Sequence, residues 1–202
     1  MSGPSIRITR TAVVDLAAAD LAEIHDLRIR SADFFAEVDD PPPTPESFAA
    51  DLDDLPEGFT RADEIIYRAY GLPGDKPGGR ASTAESGGGV PGCDTVEGAH
   101  GPAGYAEVLR GFPQSHQWTI GIVLVDASQR SQGVGKAIVD AVAADAAAAG
   151  GAALVVGVIA LRDRSLSFWY REGFATELLR RPIVLCGLET EVVRLERRLK
   201  PA

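Results

Sequence analysis

Apolar and polar positions alternate from Ser5 to Thr11 (SIRITRT), the two-residue period of a half-buried strand. From Asp15 the spacing changes. Leu16, Leu21, Ile24 and Leu27 recur at helical intervals behind Asp15 and Asp20, which predicts a helix running to about Phe35. Asp39, Asp40 and the run Pro41-Pro42-Pro43 break it. A second helix is expected from Thr44 as N-cap, with Pro45 at its first position and Glu46 and Ser47 in its first turn. Phe48 and Leu52 give that helix an apolar side before Pro56, and Glu64 to Tyr70 (EIIYRAY) then reads as a strand.

Residues 71–102 interrupt this order. Gly and Pro are dense there and apolar side chains scarce, so the segment cannot bury enough surface to offset the entropy of ordering it. A flexible loop inserted between two strands is expected, either as a tolerated surface insertion or as a lid over a substrate site. Beyond it, Gly104 to Arg110 and Trp118 to Val125 read as strands joined by the turn Gly111 to His116. Val134, Ala137, Ile138, Ala141 and Val142 return to helical spacing, and Gly150-Gly151 ends that helix. Gly151 to Ala160 is a short apolar run suited to a buried strand, and Val192 to Leu199 alternates as an edge strand does.

Composition narrows the class. A chain of 202 residues suits one domain, 1–202, with a substantial core. Its apolar fraction of 45% and mean hydropathy near zero are those of a globular protein. No apolar segment approaches the ~20 residues of a membrane span, and Met1-Ser2-Gly3-Pro4 does not open a signal peptide, so a cytoplasmic protein is expected. Cys93 and Cys186 lack metal-like spacing; a reducing compartment fits them, and a disulfide stays open. Net charge is −9, from 29 acidic and 20 basic residues, which argues against nucleic acid as a general partner. That charge suits a cationic small molecule, and equally suits solubility alone. The wealth of Ala, Gly, Asp and Arg resembles the composition that a GC-rich bacterial genome encodes.

The chemistry concentrates at Gln129-Arg130-Ser131-Gln132-Gly133-Val134-Gly135-Lys136, where an apolar strand gives way to a helix. A helix N-terminus and several backbone N–H groups converge there, a ready anion site. Glycines let a ligand approach the backbone, and Arg130 adds a charge suited to phosphate oxygens. A P-loop would need Gly where Arg130 stands and Ser or Thr in place of Ala137. A dinucleotide fingerprint would need Gly or Ala in place of Ile138.

The remaining pattern, Arg130-x-x-Gly133-x-Gly135, resembles the acyl-CoA-binding motif of the GNAT superfamily of N-acetyltransferases. Asp163-Arg164-Ser165-Leu166-Ser167-Phe168-Trp169-Tyr170-Arg171-Glu172-Gly173-Phe174 is similar to the segment of that family in which a helix with an aromatic pair ends at Gly-Phe. Gly173 fits a left-handed helix cap, and Phe174 would open the next strand. The resemblance covers residues 104–174 and the final strand. The order becomes strand, two helices, three strands, helix, strand, helix, two strands. The GNAT fold has this mixed α/β order, and the resemblance implies its architecture: a twisted mixed sheet of six to seven strands, about four flanking helices, and a splay between the fourth and fifth strands.

The resemblance implies an enzyme that moves an acetyl group from acetyl-CoA to a primary amine, by direct attack in a ternary complex and without a metal. The pantetheine arm would lie along Val123, Leu124 and Val125, with a backbone N–H near Leu124 or Val125 facing the thioester oxygen. The pyrophosphate would sit on Arg130, Ser131, Gln132, Gly133, Val134, Gly135 and Lys136. Many members place a carboxylate or His on the cradle strand as general base; Trp118 to Val125 has neither. Glu107 on the preceding strand is the first candidate, with a solvated strand residue as its bland alternative, and His116 the second. Where members often carry a Tyr as general acid this chain has Trp169, whose indole cannot protonate a thiolate. Neighbouring Tyr170 is rotated by about 100°. Either Tyr170 is reoriented or the thiolate leaves without a side-chain acid, and the second is favoured. Arg162-Asp163 stands where relatives commonly have Asn. The acceptor pocket would be lined by the first two helices, where Glu37, Asp39, Asp40, Asp51, Asp53 and Asp54 either attract an amine or form a solvated face. A small-molecule amine is the expected partner, with a homodimer a further possibility. Altered acyl chemistry (transfer to oxygen, decarboxylation or elimination) and a non-catalytic acyl-CoA-binding module are the alternatives.

Overall fold

The computed structural model describes residues 6–36, 44–71, 101–160, 163–185 and 187–200. Seven strands form one sheet: β1 (Arg7–Ala12), β2 (Glu64–Tyr70), β3 (Gly104–Arg110), β4 (Gln117–Val125), β5 (Ala153–Ile159), β6 (Thr176–Leu185) and β7 (Leu188–Arg198). Their order is β1-β2-β3-β4-β5-β7-β6, antiparallel throughout except for the parallel pair β4–β5. Three helices, α1 (Ala18–Arg30), α2 (Ala32–Ala36) and α3 (Pro45–Asp51), precede β2. A parallel pair needs a crossover, which α4 (Val134–Ala148) supplies.

The two faces of the sheet bury different elements. Val134, Ile138, Val142 and Ala146 form one stripe of α4 and pack on Ala106, Val108, Ile120 and Val156. On the other face α1, α2 and α3 bring Ile24, Leu27, Phe35 and Phe48 onto Ile66, Tyr105 and Leu124. Each of these two cores therefore joins elements that lie far apart in the chain.

Local signals behave as their chemistry dictates. Thr44 caps α3, its Oγ1 accepting from the Ser47 N–H at 3.2 Å with Pro45 at the first helical position. Gly173, at φ 88°, ends α5 (Asp163–Arg171): the Phe174 N–H reaches the Trp169 carbonyl at 3.1 Å and the Gly173 N–H that of Tyr170 at 3.1 Å.

Two expectations are corrected. The first helix does not run unbroken to Phe35. Ser31, fully buried and off helical geometry (φ −109°, ψ 28°), ends α1, and α2 restarts after it. The final alternating run is not the edge strand: β7 lies between β5 and β6, paired on both sides. Its alternation reports one buried face, with Val193 and Leu195 inside, whereas β6 is the edge and is exposed over residues 176–182. The expected insertion lies outside the described residues from 72 to 100, as do Glu37, Asp39, Asp40, Cys93, Arg162 and Cys186. No described helix is long and apolar enough to cross a membrane.

Candidate active site

Strand β4 changes partners along its length. Gln117 to Ile120 pair with Ala153 to Val156 of β5, while residues 121–125 have no β5 partner and pair with β3 alone. The change occurs at a β-bulge: Ile122 opposes Glu107 and Ile120 opposes Val108, leaving Gly121 as the extra residue. A bulge bends its strand and increases the local twist, which separates β4 from β5 beyond this point. The sheet thereby opens along an edge of backbone groups.

At the end of that edge the chain forms the cradle. Ser131 and Gly133 both adopt left-handed backbone (φ 64° and 87°), a conformation uncommon for Ser. Gly133 is the N-cap of α4 and contributes no side-chain cap. The first intrahelical bond at this end runs from the Ala137 N–H to the Gly133 carbonyl at 2.9 Å. The N–H groups of Val134, Gly135 and Lys136 therefore have no acceptor within the helix and carry its positive end. Unpaired N–H groups at a helix start suit an anion, and α5 packs closely on Gly135. A Cβ added to it would stand 3.2 Å from Cζ of Phe168.

A cleft of about 440 Å³ connects strand edge and cradle. Val123, Leu124 and Val125 line it from β4, and Arg130, Ser131, Gly133, Val134, Gly135 and Lys136 from the cradle. Gln132 does not line it; its amide donates to the Ser128 carbonyl at 3.1 Å. Sequence reasoning missed the opposite wall, formed by Arg164, Ser165 and Phe168 of α5 with Glu172 just beyond it, and missed Phe34 of α2. No local signal marks Phe34, because only the break at Ser31 turns it toward a cleft built by residues far along the chain.

Arg130 does more than present a charge. Its Nε donates to the Val125 carbonyl at 3.1 Å, and its Nη2 to Oδ1 of Asp33 at 2.9 Å, while Nη1 donates to the other oxygen of that carboxylate. This fork ties α2 to the cradle, and the bonds from Arg130 hold the Asp33 carboxyl below the usual carboxylate range. Lys136 is exposed and pairs with Asp140 and, at 4.0 Å, Glu172.

Trp169 is buried between Phe168 and Phe174 (ring centroids 5.0 and 4.9 Å away) and reaches the cleft wall. Tyr170 points elsewhere, 45% exposed and outside the cleft lining. His116 lies at the opposite end of β4, about 26 Å along the strand from Leu124 at the usual rise per residue.

Glu107 projects from β3 on the face covered by α1–α3, opposite Ile122 where the sheet opens. Tyr105 donates its hydroxyl to Oε1 of Glu107 at 3.1 Å, and Nη1 of Arg28 stands 3.7 Å from the same oxygen. Burial pushes the Glu107 carboxyl up, against the opposing pull of Arg28 and Tyr105. Arg28 is itself buried, stacked over Phe48 (4.7 Å) and Phe35 (5.2 Å), and 3.5 Å from Asp51. Of the described members of the acidic cluster, Asp51 thus joins this group, while Asp53 pairs with Arg61 at 2.5 Å. Sequence reasoning missed Arg28 and Glu64.

The opened strand pair, the turn at Arg130–Lys136 and Glu107 on the other face of the sheet together make up the candidate site. The Acetyltransferase (GNAT) family model matches residues 27–174, well over half of the chain, and the protein belongs to that family. Its members generally use acetyl-CoA. Comparison with curated protein sequences gives no significant match. Among solved structures the fold is similar to an acetyltransferase from Thermus thermophilus (16% identity, TM-score 0.64, covering 98% of this chain and 100% of that one). It is also similar to the ribosomal-protein-S18-alanine N-acetyltransferase of Escherichia coli (15%, 0.61, 97% and 96%). An N-acetyltransferase from Staphylococcus aureus gives 16%, 0.59, 96% and 99%. At these identities the likeness is one of fold.

Proposed function

We propose that the protein transfers the acetyl group of acetyl-CoA to a primary amine of a small molecule, by direct attack within a ternary complex. The observation that carries this reading is the unpaired edge of β4 over residues 121–125, continuous with the cradle at Arg130–Lys136. Backbone groups on that edge suit the amides of a pantetheine arm. The N–H groups of Val134, Gly135 and Lys136 suit a pyrophosphate.

Chemistry then falls at the bulge. An amine entering from the α1–α3 side meets the thioester near Ile122–Leu124, with Glu107 across the strand pair as the group that takes its proton. A backbone N–H of Leu124 or Val125 would stabilise the developing oxyanion. The C–N bond forms as the C–S bond breaks, and the thiolate leaves without a tyrosine, because Trp169 occupies the cleft wall and Tyr170 faces solvent. Net acidity and the carboxylates beside Arg28 suit an amine that arrives as a cation.

The test is thermal unfolding with and without acetyl-CoA, followed by a screen of primary amines by thiol release. Ligand at ~100 times its dissociation constant should stabilise the protein by about 2.7 kcal/mol. No stabilisation at any soluble concentration would remove the cofactor assignment. Stabilisation without release of thiol by any amine would favour a binding module instead.

A further inference from the structure

Beyond Glu107, a second carboxylate is buried on the same face of the sheet. Glu64 opens β2 and is only 7% exposed, and its Oε2 has no hydrogen-bond partner. The strand register fixes its relation to Glu107. Ile66 opposes Glu107, so Glu64, two residues before Ile66, is the diagonal neighbour of Glu107 on one face. Diagonal side chains in such a ladder are separated by roughly 7–8 Å at Cα, within reach of long side chains.

The surroundings of the two carboxylates differ. Glu107 receives the Tyr105 hydroxyl and faces Arg28 of α1, with Asp51 of α3 competing for the same guanidinium. Glu64 faces Glu107 on β3 and Arg61 in the segment before β2, and Arg61 is engaged with Asp53. Stabilisation of negative charge is therefore concentrated on Glu107. Burial together with the charge of Glu107 raises the Glu64 carboxyl to about 7. A buried carboxyl lacking a partner is less costly neutral than charged.

We propose that Glu64 and Glu107 work as one carboxylate pair, with Glu107 the group that accepts the amine's proton and Glu64 the positioning residue whose charge sets how strongly that proton is held. This deepens the acetyl-transfer reading and rests on it. In the step itself an amine that arrives as a cation first loses one proton to solvent; its nitrogen then bonds to the acetyl carbon, the thiolate departs with the electron pair of the C–S bond, and the nitrogen's second proton passes to Glu107. A charged Glu64 beside it strengthens that proton's binding, and a neutral one weakens it. Proton uptake thereby follows pH through both groups rather than one.

The experiment pairs a titration with kinetics. In protein labelled with carbon-13 at the glutamate side-chain carboxyls, the Glu64 and Glu107 signals are assigned by their loss in E64Q and E107Q and followed from about pH 4 to 9. The expected result is that E107Q lowers the Glu64 midpoint by about one pH unit, because Glu64 then ionises without the charge of Glu107 beside it. Reading Glu64 in E107Q keeps the test alive if E64Q folds poorly. With an amine found by the thiol-release screen, kcat/KM should show a second inflection where Glu64 ionises, and E64Q should abolish it while leaving the lower limb set by Glu107. E107Q should lose about 100-fold in kcat/KM. A Glu64 midpoint indifferent to E107Q, or a second inflection in kcat/KM that survives in E64Q, would overturn the pair. Coupled midpoints in a protein that acetylates no amine would sink the proposed reaction and leave the pair standing.

Discussion

At single positions the cradle separates residues that leave room in the cleft from residues that hold its walls together. Gly135 belongs to the first kind. A side chain there meets Phe168 at 3.2 Å and intrudes on the cleft, so Gly135→Glu should abolish stabilisation by acetyl-CoA and, as Phe168 gives way, also lower the ligand-free unfolding temperature. Thermal unfolding with and without ligand checks this, and an undiminished shift would move the phosphate site elsewhere. Arg130 joins Val125 to Asp33, which places it with the second kind. Arg130→Ala should destabilise even the ligand-free protein, by about 1–3 kcal/mol for lost bonds to a charged group. That corresponds to several degrees in Tm for a chain of this size. An unchanged ligand-free Tm would mean that the fork contributes nothing to stability.

Elements bring together what spacing alone leaves apart. Where β3 passes β4 and α4, Gly104 is so closely confined that an added Cβ would stand 2.9 Å from the Leu124 carbonyl and 3.0 Å from Cγ1 of Val134. Gly104→Ala should therefore push β4 or α4 aside, costing about 1–3 kcal/mol and weakening acetyl-CoA binding at the opened edge. Chemical denaturation and a ligand titration measure the two effects; full affinity in the variant would show that the edge tolerates the displacement. Gly173 offers a contrast, since its role is in the helix end and not in the cleft lining. Its φ of 88° is unfavourable for any side chain, so Gly173→Ala should lose about 1–2 kcal/mol. Such caps were legible from the letters Gly-Phe at a helix end. The break at Ser31 was not, since a buried serine in the middle of a helical pattern carries no local stop signal.

For the molecule as a whole, the buried carboxylates predict how stability depends on pH. Glu64 titrates near 7 when folded and near ~4.3 in an unfolded chain, so the folded state keeps a proton that the unfolded state releases between these values. The stability from this group is complete below the unfolded value and is lost as pH rises through 7. Glu64→Gln cannot ionise, so its Tm should gain on the wild type progressively from about pH 5 to pH 8. A difference in Tm that stays constant across that range would show that Glu64 ionises alike in both states.

What the sequence determined by itself is what local chemistry enforces. Periodicity placed the crossover helix and every strand but β6, Thr44-Pro45 and Gly173 marked helix ends, and the glycines after Arg130 marked the turn into α4. These are short-range effects in which a residue's backbone preference or the next turn of chain decides the outcome. Tertiary structure decided the rest. Whether β7 lies at an edge depends on where β6 returns, and alternation along β7 reports only its buried face. The fork from Arg130 to Asp33 joins positions nearly a hundred residues apart. Glu64 reads in sequence as an ordinary polar residue at the start of a strand. Only the register of β2 on β3, and the helices covering that face, turn it into a buried carboxyl beside Glu107, because charge cost is set by what surrounds a group and not by its neighbours in the chain.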